Sequence, residues 1–282
     1  MPHFFRILAF LLIQLVVYSC SSKKGFIPYE GLKGDPTQVK ILDFDPMPEN
    51  SSQEPTLNSW EIYEFDNVGR KISYQVFRNN GSPVNGGSRF FYLDKGPVQY
   101  QENYNLKGET QSRTDFNYDQ KGRILKSRTV AGEKETSTKE INYDPKKPIS
   151  YTKIIYNTKA LIQNSVNQMD KKGRVILMTD YHSNGALKGK IRYSFDNKGN
   201  DILQEWYNSE DQLFQFFKKT YNKNNDPILN ERFEIIAGNP LKTNETPTEY
   251  LYDSLGNQSK VTVKADGKAF IKKVEVTYPE KN

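Results

Sequence analysis

Two short clusters in the middle of the sequence carry the side chains best suited to chemistry. They are Asp180-Tyr181-His182 and Glu205-Trp206-Tyr207. The two tyrosines each lie 11 residues after a recurring aspartate, so we expect the clusters to be neighbours in the fold. A carboxylate, an imidazole and aromatic rings on one surface suit a sugar platform or a glycosidase-like carboxylate pair. The sequence therefore predicts a candidate ligand surface made of these six residues.

A structural interpretation of the same clusters stays open. Phe77 and Phe233 lie at the same repeat phase as Tyr181 and Tyr207, so the four rings could form an aromatic row. His182 would then be a turn residue. We assign no catalytic residue, and a carboxylate-based, glycosidase-like hydrolase is kept as an alternative.

The supply of other reactive side chains is small. The chain holds one cysteine, Cys20, and two histidines, His3 and His182. A multi-histidine zinc site or a Ser/His/Asp triad would depend on a single imidazole once the first residues are removed. We therefore predict no metal and no cofactor. The net charge of +6 is spread among interspersed acids and bases, so we also predict no nucleic-acid partner.

The first residues have the pattern of an export signal. Arg6 precedes an apolar run at 7–17, which is shorter than the roughly 20 residues of a membrane span. The following VYSC (17–20) resembles the lipobox of bacterial lipoproteins, which implies a signal peptide at 1–19 and a lipid attached to Cys20. Ser21, in place of an aspartate, favours the outer membrane. We expect an exported protein held in the bacterial cell envelope by this anchor.

Residues 20–57 are predicted to form a tether. Five prolines lie between positions 28 and 55, and proline interrupts both helices and central strands. A spacer of this kind would let a lipid-held domain stand away from the membrane. Within it, VKILDF (39–44) could add an extra strand to the domain that follows.

Residues 58–282 are predicted to be a repeat domain. A short turn motif recurs every 25–31 residues, and each period contains two alternating apolar–polar segments and two turns. This indicates about eight β-hairpins, or about 16 strands. The motif is anchored at Asp66, Asp94, Asp119, Asp144, Asp170, Asp196, Asn222 and Asp253.

The Asp-x-x-Gly spacing of the motif is explained by turn chemistry. An aspartate can accept a hydrogen bond from the N–H two residues on, and the glycine can take the positive φ that closes the loop. Calcium binding is the alternative, but no second acidic ligand recurs two residues after the aspartate. We assign structural turn roles to Asp66, Gly69, Asp119, Gly122, Asp170, Gly173, Asp196, Gly199, Asp253 and Gly256.

The recurring Tyr/Phe-Asp-x-x-Gly-Arg/Asn resembles the YD repeats of the RHS family over roughly 58–278. The stretch YHSNGALKGK (181–190) also resembles MORN-type repeats. The first resemblance implies hairpins wound into β-spirals or shells, often linked to secreted toxins and surface interactions. The chain leaves no room for an enclosed toxin domain after its last repeat, so that function is not carried over.

We therefore predict an all-β, antiparallel hairpin array curled into a β-spiral, solenoid-like or barrel-like sheet. An open sheet of this width would expose too much aromatic surface, so we expect it to curl around an aromatic-rich core. The predicted function is a non-catalytic envelope lipoprotein that binds a glycan or a protein partner through an extended repeat surface. A hydrolase, or an immunity-type partner of a secreted toxin, is the alternative.

Overall fold

The computed structural model describes residues 32–94, 96–156 and 161–279, and the described chain is built from strands and turns. No helix in these ranges is long and apolar enough to cross a membrane. The strands are β1 (Gln38–Phe44), β2 (Met47–Pro48), β3 (Leu57–Phe65), β4 (Lys71–Arg78), β5 (Pro83–Tyr92), β6 (Val98–Tyr104), β7 (Thr110–Tyr118), β8 (Ile124–Ala131), β9 (Lys134–Tyr143), β10 (Ile149–Tyr156), β11 (Leu161–Met169), β12 (Val175–Tyr181), β13 (Leu187–Phe195), β14 (Asp201–Tyr207), β15 (Leu213–Tyr221), β16 (Pro227–Ile236), β17 (Asn239–Tyr252), β18 (Gln258–Ala265) and β19 (Lys268–Thr277).

These strands form one closed, up-and-down antiparallel barrel. Each strand from β3 to β19 pairs with the next in sequence, and β1 pairs with both β3 and β19. The short β2 pairs only with the start of β19, at Lys268 and Ala269. The predicted all-β hairpin array is confirmed, and the repeats supply the sixteen strands β3–β18 of an 18-strand barrel.

β1 lies inside the segment 20–57 that is predicted to be a flexible tether. The structure corrects this prediction for residues 38–44, which form a strand of the barrel. Val39 and Ile41 are 0% and 2% exposed, and they pack with β3 and β19 on either side. The physical reason is that β3 and β19 would otherwise be two unpaired sheet edges. This is the position expected if residues 39–44 add an extra strand to the domain. The predicted signal peptide 1–19 and Cys20 lie outside the described residues.

A recurring β-bulge accounts for the curvature of the sheet. Seven of the eight hairpins that carry the Asp-x-x-Gly turn, or its variant, have a register shift just before the turn. In the first of these, Phe65 lies opposite Lys71 and the ladder resumes at Glu64 and Ser73. A bulge bends its strand and increases the local right-handed twist, which favours closure of a wide sheet.

The barrel has two ends and two walls. We call the end with the Asp-x-x-Gly turns the Asp rim, and the opposite end, with turns such as 79–82, 105–109 and 182–186, the far rim. Side chains alternate between an inner and an outer wall along each strand. The inner wall is the better shielded one, and Val39, Ser150 and Ser165 belong to it.

The expected aromatic-rich core is present only in part, because two residues of the small buried cluster, Tyr63 and Phe65, are aromatic. The buried apolar cluster consists of Val39, Ile41, Tyr63, Phe65 and Val274, which lie on only three adjoining strands, β1, β3 and β19. Many aromatic rings instead pair on the outer wall, where they cover one another across neighbouring strands. The stacked pairs there include Trp60–Phe77, Phe91–Tyr100 and Phe216–Phe233.

Candidate functional site on the inner wall

The repeated aspartates hold the turns of the Asp rim. The Asp119 carboxylate accepts hydrogen bonds from the backbone N–H groups of Lys121 and Arg123, both at 2.9 Å, and Gly122 has φ +76°. The same acceptor pattern is present at Asp66, Asp170 and Asp253, and Asp196 accepts from the N–H of Asn200. The glycines Gly69, Gly173, Gly199 and Gly256 likewise have positive φ.

In three repeats, an arginine four residues after the aspartate links the turn to the next hairpin. Arg123 donates to the Asp119 Oδ2 at 2.7 Å, and its guanidinium carbon lies 3.8 Å from the ring centre of Tyr143. Two further repeats show the same arrangement, which we call the Asp–Arg–aromatic interlock. They are Asp66–Arg70–Tyr92 and Asp170–Arg174–Phe195.

Tyrosine hydroxyls add a second link between neighbouring hairpins. Tyr92 donates to the carbonyl of Lys71 at 2.7 Å, and Tyr118 donates to the carbonyl of Val98 at 2.7 Å. Turn roles for the aspartate and the glycine of the motif are predictable from the sequence, whereas the roles of the arginine and the tyrosine are seen only in the structure. The sequence did carry a signal for these contacts between hairpins. Tyr or Phe recurs before the aspartate, and Arg or Asn recurs four residues after it.

The turn carboxylates are fully engaged as acceptors. Burial alone would raise the pKa of Asp119, but hydrogen bonds from the backbone and side chain of Arg123 outweigh it and hold that pKa below its usual value. The pKa of Asp66 and Asp170 is lowered in the same way by Arg70 and Arg174. Among the described residues, no three His, Cys, Asp or Glu side chains form a group that could hold a metal ion.

The structure does not bring the six predicted ligand residues onto one surface. Asp180 and Trp206 lie on the inner wall, because they pair through the register with Ser165 and Gln215. Their neighbours in sequence, Tyr181, Glu205 and Tyr207, point to the outer wall because consecutive strand residues alternate. His182 is exposed in a turn of the far rim, where its N–H donates to the carbonyl of Ala186.

The outer residues form a small cluster that satisfies itself. The Tyr207 hydroxyl donates to Glu205 at 3.4 Å, and Arg192 lies 3.9 Å from that carboxylate and 5.4 Å from the tyrosine ring centre. Burial and the nearby Glu205 charge raise the pKa of Tyr207. Since Glu205 and Asp180 face opposite sides of the sheet, these two carboxylates cannot flank one glycosidic bond.

Amide and hydroxyl side chains line the inner wall from β5 to β8. Ser88 donates to the Asn103 Oδ1 at 2.7 Å, and Asn103 donates onward to Ser112 at 3.0 Å. Thr114 and Thr129 share a hydrogen bond of 2.9 Å one strand pair further on. These contacts form a polar stretch of the inner wall, and Phe90 and Phe116 lie on the same face beside it.

The polar lining continues from β10 to β12. Asn167 is 8% exposed, and its Nδ2 lies 3.4 Å from the Ser150 hydroxyl and 3.3 Å from the Thr152 hydroxyl. Ser165, which is 1% exposed, donates to the Asp180 carboxylate at 2.5 Å. Asp180 is therefore one of the inner acceptors, held in place by the neighbouring strand.

A mixed aromatic and polar patch follows on β14, β15 and β16. We call Gln204, Trp206, Gln215, Phe217 and Arg232 the Trp206 patch, because the register places them side by side on the inner wall. The Trp206 and Phe217 rings meet edge to face with centres 6.1 Å apart, and Arg232 donates to the Gln215 Oε1 at 3.2 Å.

Several shielded polar atoms of this wall have no hydrogen-bond partner in the structure. They include the Trp206 Nε1 and the Arg232 Nε within the patch, the Asp201 Oδ1 at the start of β14, and the Asn167 Oδ1 on β11. Buried donors and acceptors are normally paired, so a group of unpaired ones needs an explanation. The accessible part of the patch is the Trp206 ring and the Arg232 guanidinium, whose side chain is 42% exposed and pairs with Glu234 at 2.8 Å. Together they offer an aromatic face and a cation to an oxygen-rich molecule bound inside the barrel.

No protein-family model matches the sequence, and no curated protein matches it. Solved structures that are similar include a porin-like protein from Bacteroides vulgatus, with 13% identity over 87% of this chain and 99% of that chain and a TM-score of 0.38. A porin-like protein from Bacteroides uniformis has 10% identity over 90% and 99%, with a TM-score of 0.31. The Photorhabdus luminescens Tc holotoxin pore has 14% identity over 82% of this chain and 12% of its own, with a TM-score of 0.30.

Proposed function

We propose that this protein is a non-catalytic binding lipoprotein of the bacterial envelope, and that its ligand is a carbohydrate bound at the Trp206 patch. The observation that carries the proposal is the patch itself, an aromatic ring among amides and a guanidinium on a polar inner wall. Binding sites combine apolar and aromatic contact with a few placed polar groups, and a sugar presents hydroxyl oxygens beside apolar ring faces. Its oxygens would accept from the exposed part of the Arg232 guanidinium, and its ring face would stack on Trp206.

The anchor is the second part of the proposal. Cys20 follows a short apolar run in the lipobox-like VYSC, and Ser21 favours the outer membrane. Metabolic labelling with a fatty-acid probe should mark the wild-type chain and not the Cys20→Ser variant. Equal labelling of both, or labelling of neither, would remove the lipid anchor from the proposal.

Tryptophan fluorescence can test the binding site directly. The chain has two tryptophans, Trp60 on the outer wall and Trp206 on the inner wall. In the Trp60→Phe variant, Trp206 is the sole reporter, and we expect oligosaccharides from a panel of neutral and acidic envelope glycans to shift its emission. The same ligand should protect Trp206 from acrylamide quenching.

The Trp206→Phe variant is the matched control, because it leaves only the outer Trp60 as reporter. We expect the emission of this variant to stay unchanged when the same glycan is added. In Trp206→Ala, the affinity for the glycan should fall by roughly tenfold, as expected when an aromatic anchor is removed. A glycan that shifts Trp60 instead would place binding on the outer wall. If no glycan binds and a protein partner is captured whose binding is insensitive to Trp206→Ala, the carbohydrate proposal is wrong.

A further inference from the structure

The N-terminal part of the chain joins the barrel at the Asp rim. The Lys33 N–H donates to the Asn257 Oδ1 at 2.7 Å, and Asn257 in turn donates to the Lys33 carbonyl at 3.2 Å. Asn257 belongs to the last Asp-x-x-Gly turn and is 4% exposed. Residues 1–31, including Cys20, therefore precede a point fixed at this end of the barrel.

The Asp rim is also the basic end of the molecule. Its aspartates are half-buried under backbone N–H groups and arginines, whereas the turn tips carry exposed lysines. Exposed acids at this rim are Asp35 and Asp94. The exposed lysines of the described turns and of the entering segment are Lys33, Lys121, Lys146, Lys147, Lys171, Lys172, Lys198 and Lys223.

The far rim has the opposite charge. The described turns of the far rim, together with residues 45–56, contain one lysine, Lys107, and acidic residues predominate there. Further exposed basic residues lie on the strands beside it, at Arg78, Lys134, Lys188, Lys242 and Lys268. The exposed acids are Asp45, Glu49, Glu54, Glu109, Glu133, Glu210, Asp211 and Asp266. The barrel therefore has a charge asymmetry along its axis.

Exposed aliphatic side chains reinforce the basic rim. Val68 is 62% exposed at a turn tip, and Leu255 is 44% exposed in another. Behind the tips, Ile72, Leu125 and Ile176 stand six residues after their aspartates and are all exposed. The far rim also exposes apolar side chains, so it is the lysines that distinguish the two ends. A basic surface with apolar side chains matches an anionic lipid surface.

We propose that the Asp rim docks on the anionic surface of a phospholipid membrane, which stands the barrel upright with its far rim pointing away. The orientation rests on the proposed anchor, because a lipid on Cys20 would hold the same end near the bilayer. A polybasic surface adds electrostatic attraction to anionic lipids and would fix the orientation of a barrel that the lipid alone leaves free to tilt. The docking itself depends on the lysines and is measurable without the lipid.

Vesicle flotation tests the docking on the full chain with Cys20→Ser, so that no lipid is attached. The probes are vesicles of phosphatidylcholine alone and vesicles with about a third phosphatidylglycerol. The measured quantity is the partition coefficient on the anionic vesicles divided by that on phosphatidylcholine vesicles. The apolar run at 7–17 is present in every variant, so its contribution to this ratio is the same in all of them. We expect a ratio of about ten or more at low salt, falling as salt screens the lysines.

Two charge-matched variants locate the contact. In one, Lys146, Lys147, Lys171 and Lys172 are changed to Gln at the Asp rim. In the other, Lys107, Lys134, Lys188 and Lys268 are changed to Gln at or near the far rim, where they are also exposed. We expect the first variant to lose about tenfold or more of the ratio, since each lysine near the surface contributes appreciably. The second should stay within about twofold.

Equal losses in both variants, or a wild-type ratio near one, would overturn the docking. Circular dichroism of each variant confirms that the barrel is retained before flotation. Fatty-acid labelling of Cys20 is measured separately, so the two proposals fail independently. A labelled chain without rim-dependent binding refutes the docking alone, and an unlabelled chain with rim-dependent binding refutes the anchor alone.

Discussion

Arg123→Ala tests the Asp–Arg–aromatic interlock, and its cost can be worked from the structure. The substitution removes the pair with Asp119, whose side chains are 28% and 17% exposed, and the contact with the Tyr143 ring. A partly shielded ion pair contributes about 1 kcal/mol, at the upper end of the exposed range. The cation–ring contact adds about 0.5–1 kcal/mol. We expect the free energy of unfolding to fall by about 1.5–2 kcal/mol.

The chain provides its own control for this substitution. At the equivalent position of a later repeat, Asn200 donates to the Asp196 Oδ2 at 2.9 Å and makes no ring contact of the arginine kind. Arg123→Asn should therefore keep the carboxylate contact and cost only about 0.5–1 kcal/mol, the value of the lost stacking.

Urea unfolding at pH 7 and at pH 3 measures both variants, with the slope required to stay constant. The pKa of Asp119 is lowered, so the contribution of its pair is present above its ordinary pKa and disappears as pH falls through the folded value. The difference between wild type and Arg123→Ala should shrink at pH 3. Equal costs for the alanine and asparagine variants, or a cost for alanine below about 0.3 kcal/mol, would refute the interlock.

Three further substitutions test other parts of the barrel. Burial lowers the pKa of Lys71 to about 8, against an opposing effect of Glu61, so its charge opposes folding below pH 8 and this penalty disappears as pH rises towards 10.5. Lys71→Met should raise the free energy of unfolding at pH 7 by up to about 3 kcal/mol and change it less at pH 10.5. A lower free energy of unfolding at pH 7 would show that the Lys71 charge does not oppose folding. Gly122→Ala should lower the free energy of unfolding by about 1 kcal/mol in the same assay, because Gly122 has φ +76° with open space around it. Gly189→Ala should lower it more, because the added Cβ would lie 2.7 Å from the Tyr207 carbonyl oxygen.

The hairpin array was predictable because its signals are local. Each Asp-x-x-Gly turn is specified by residues within five positions, such as Asp170 and Gly173, and the alternating segments on either side set the strands. The sequence indicated the turn without the interlock, because the contact from Arg174 to Phe195 joins two hairpins. A contact between repeats requires knowledge of which faces meet.

The candidate site was harder to predict for two physical reasons. Consecutive strand residues alternate between walls, so Glu205-Trp206-Tyr207 could not all share one surface. The polarity of each wall was also ambiguous, because aromatic residues line both. Phe217 lies on the inner wall beside Trp206, whereas Phe216 stacks on Phe233 outside. Repeat phase alone therefore does not locate a binding surface.

The polar inner wall raises the question of what keeps so wide a barrel closed. Among the described strands, the non-local junction is the seam where β1 and β2 pair with β19, and Thr37 meets Thr277 there across 240 positions of sequence. Closing a loop of that length costs roughly 2–3 kcal/mol more than closing a hairpin pair. Val39 and Ile41 are almost wholly buried there, and each contributes about 1.5–3 kcal/mol by leaving water. The apolar core thus lies where closure is most expensive, which leaves the wall from β5 to β16 free to carry polar side chains such as Asn103 and Asn167.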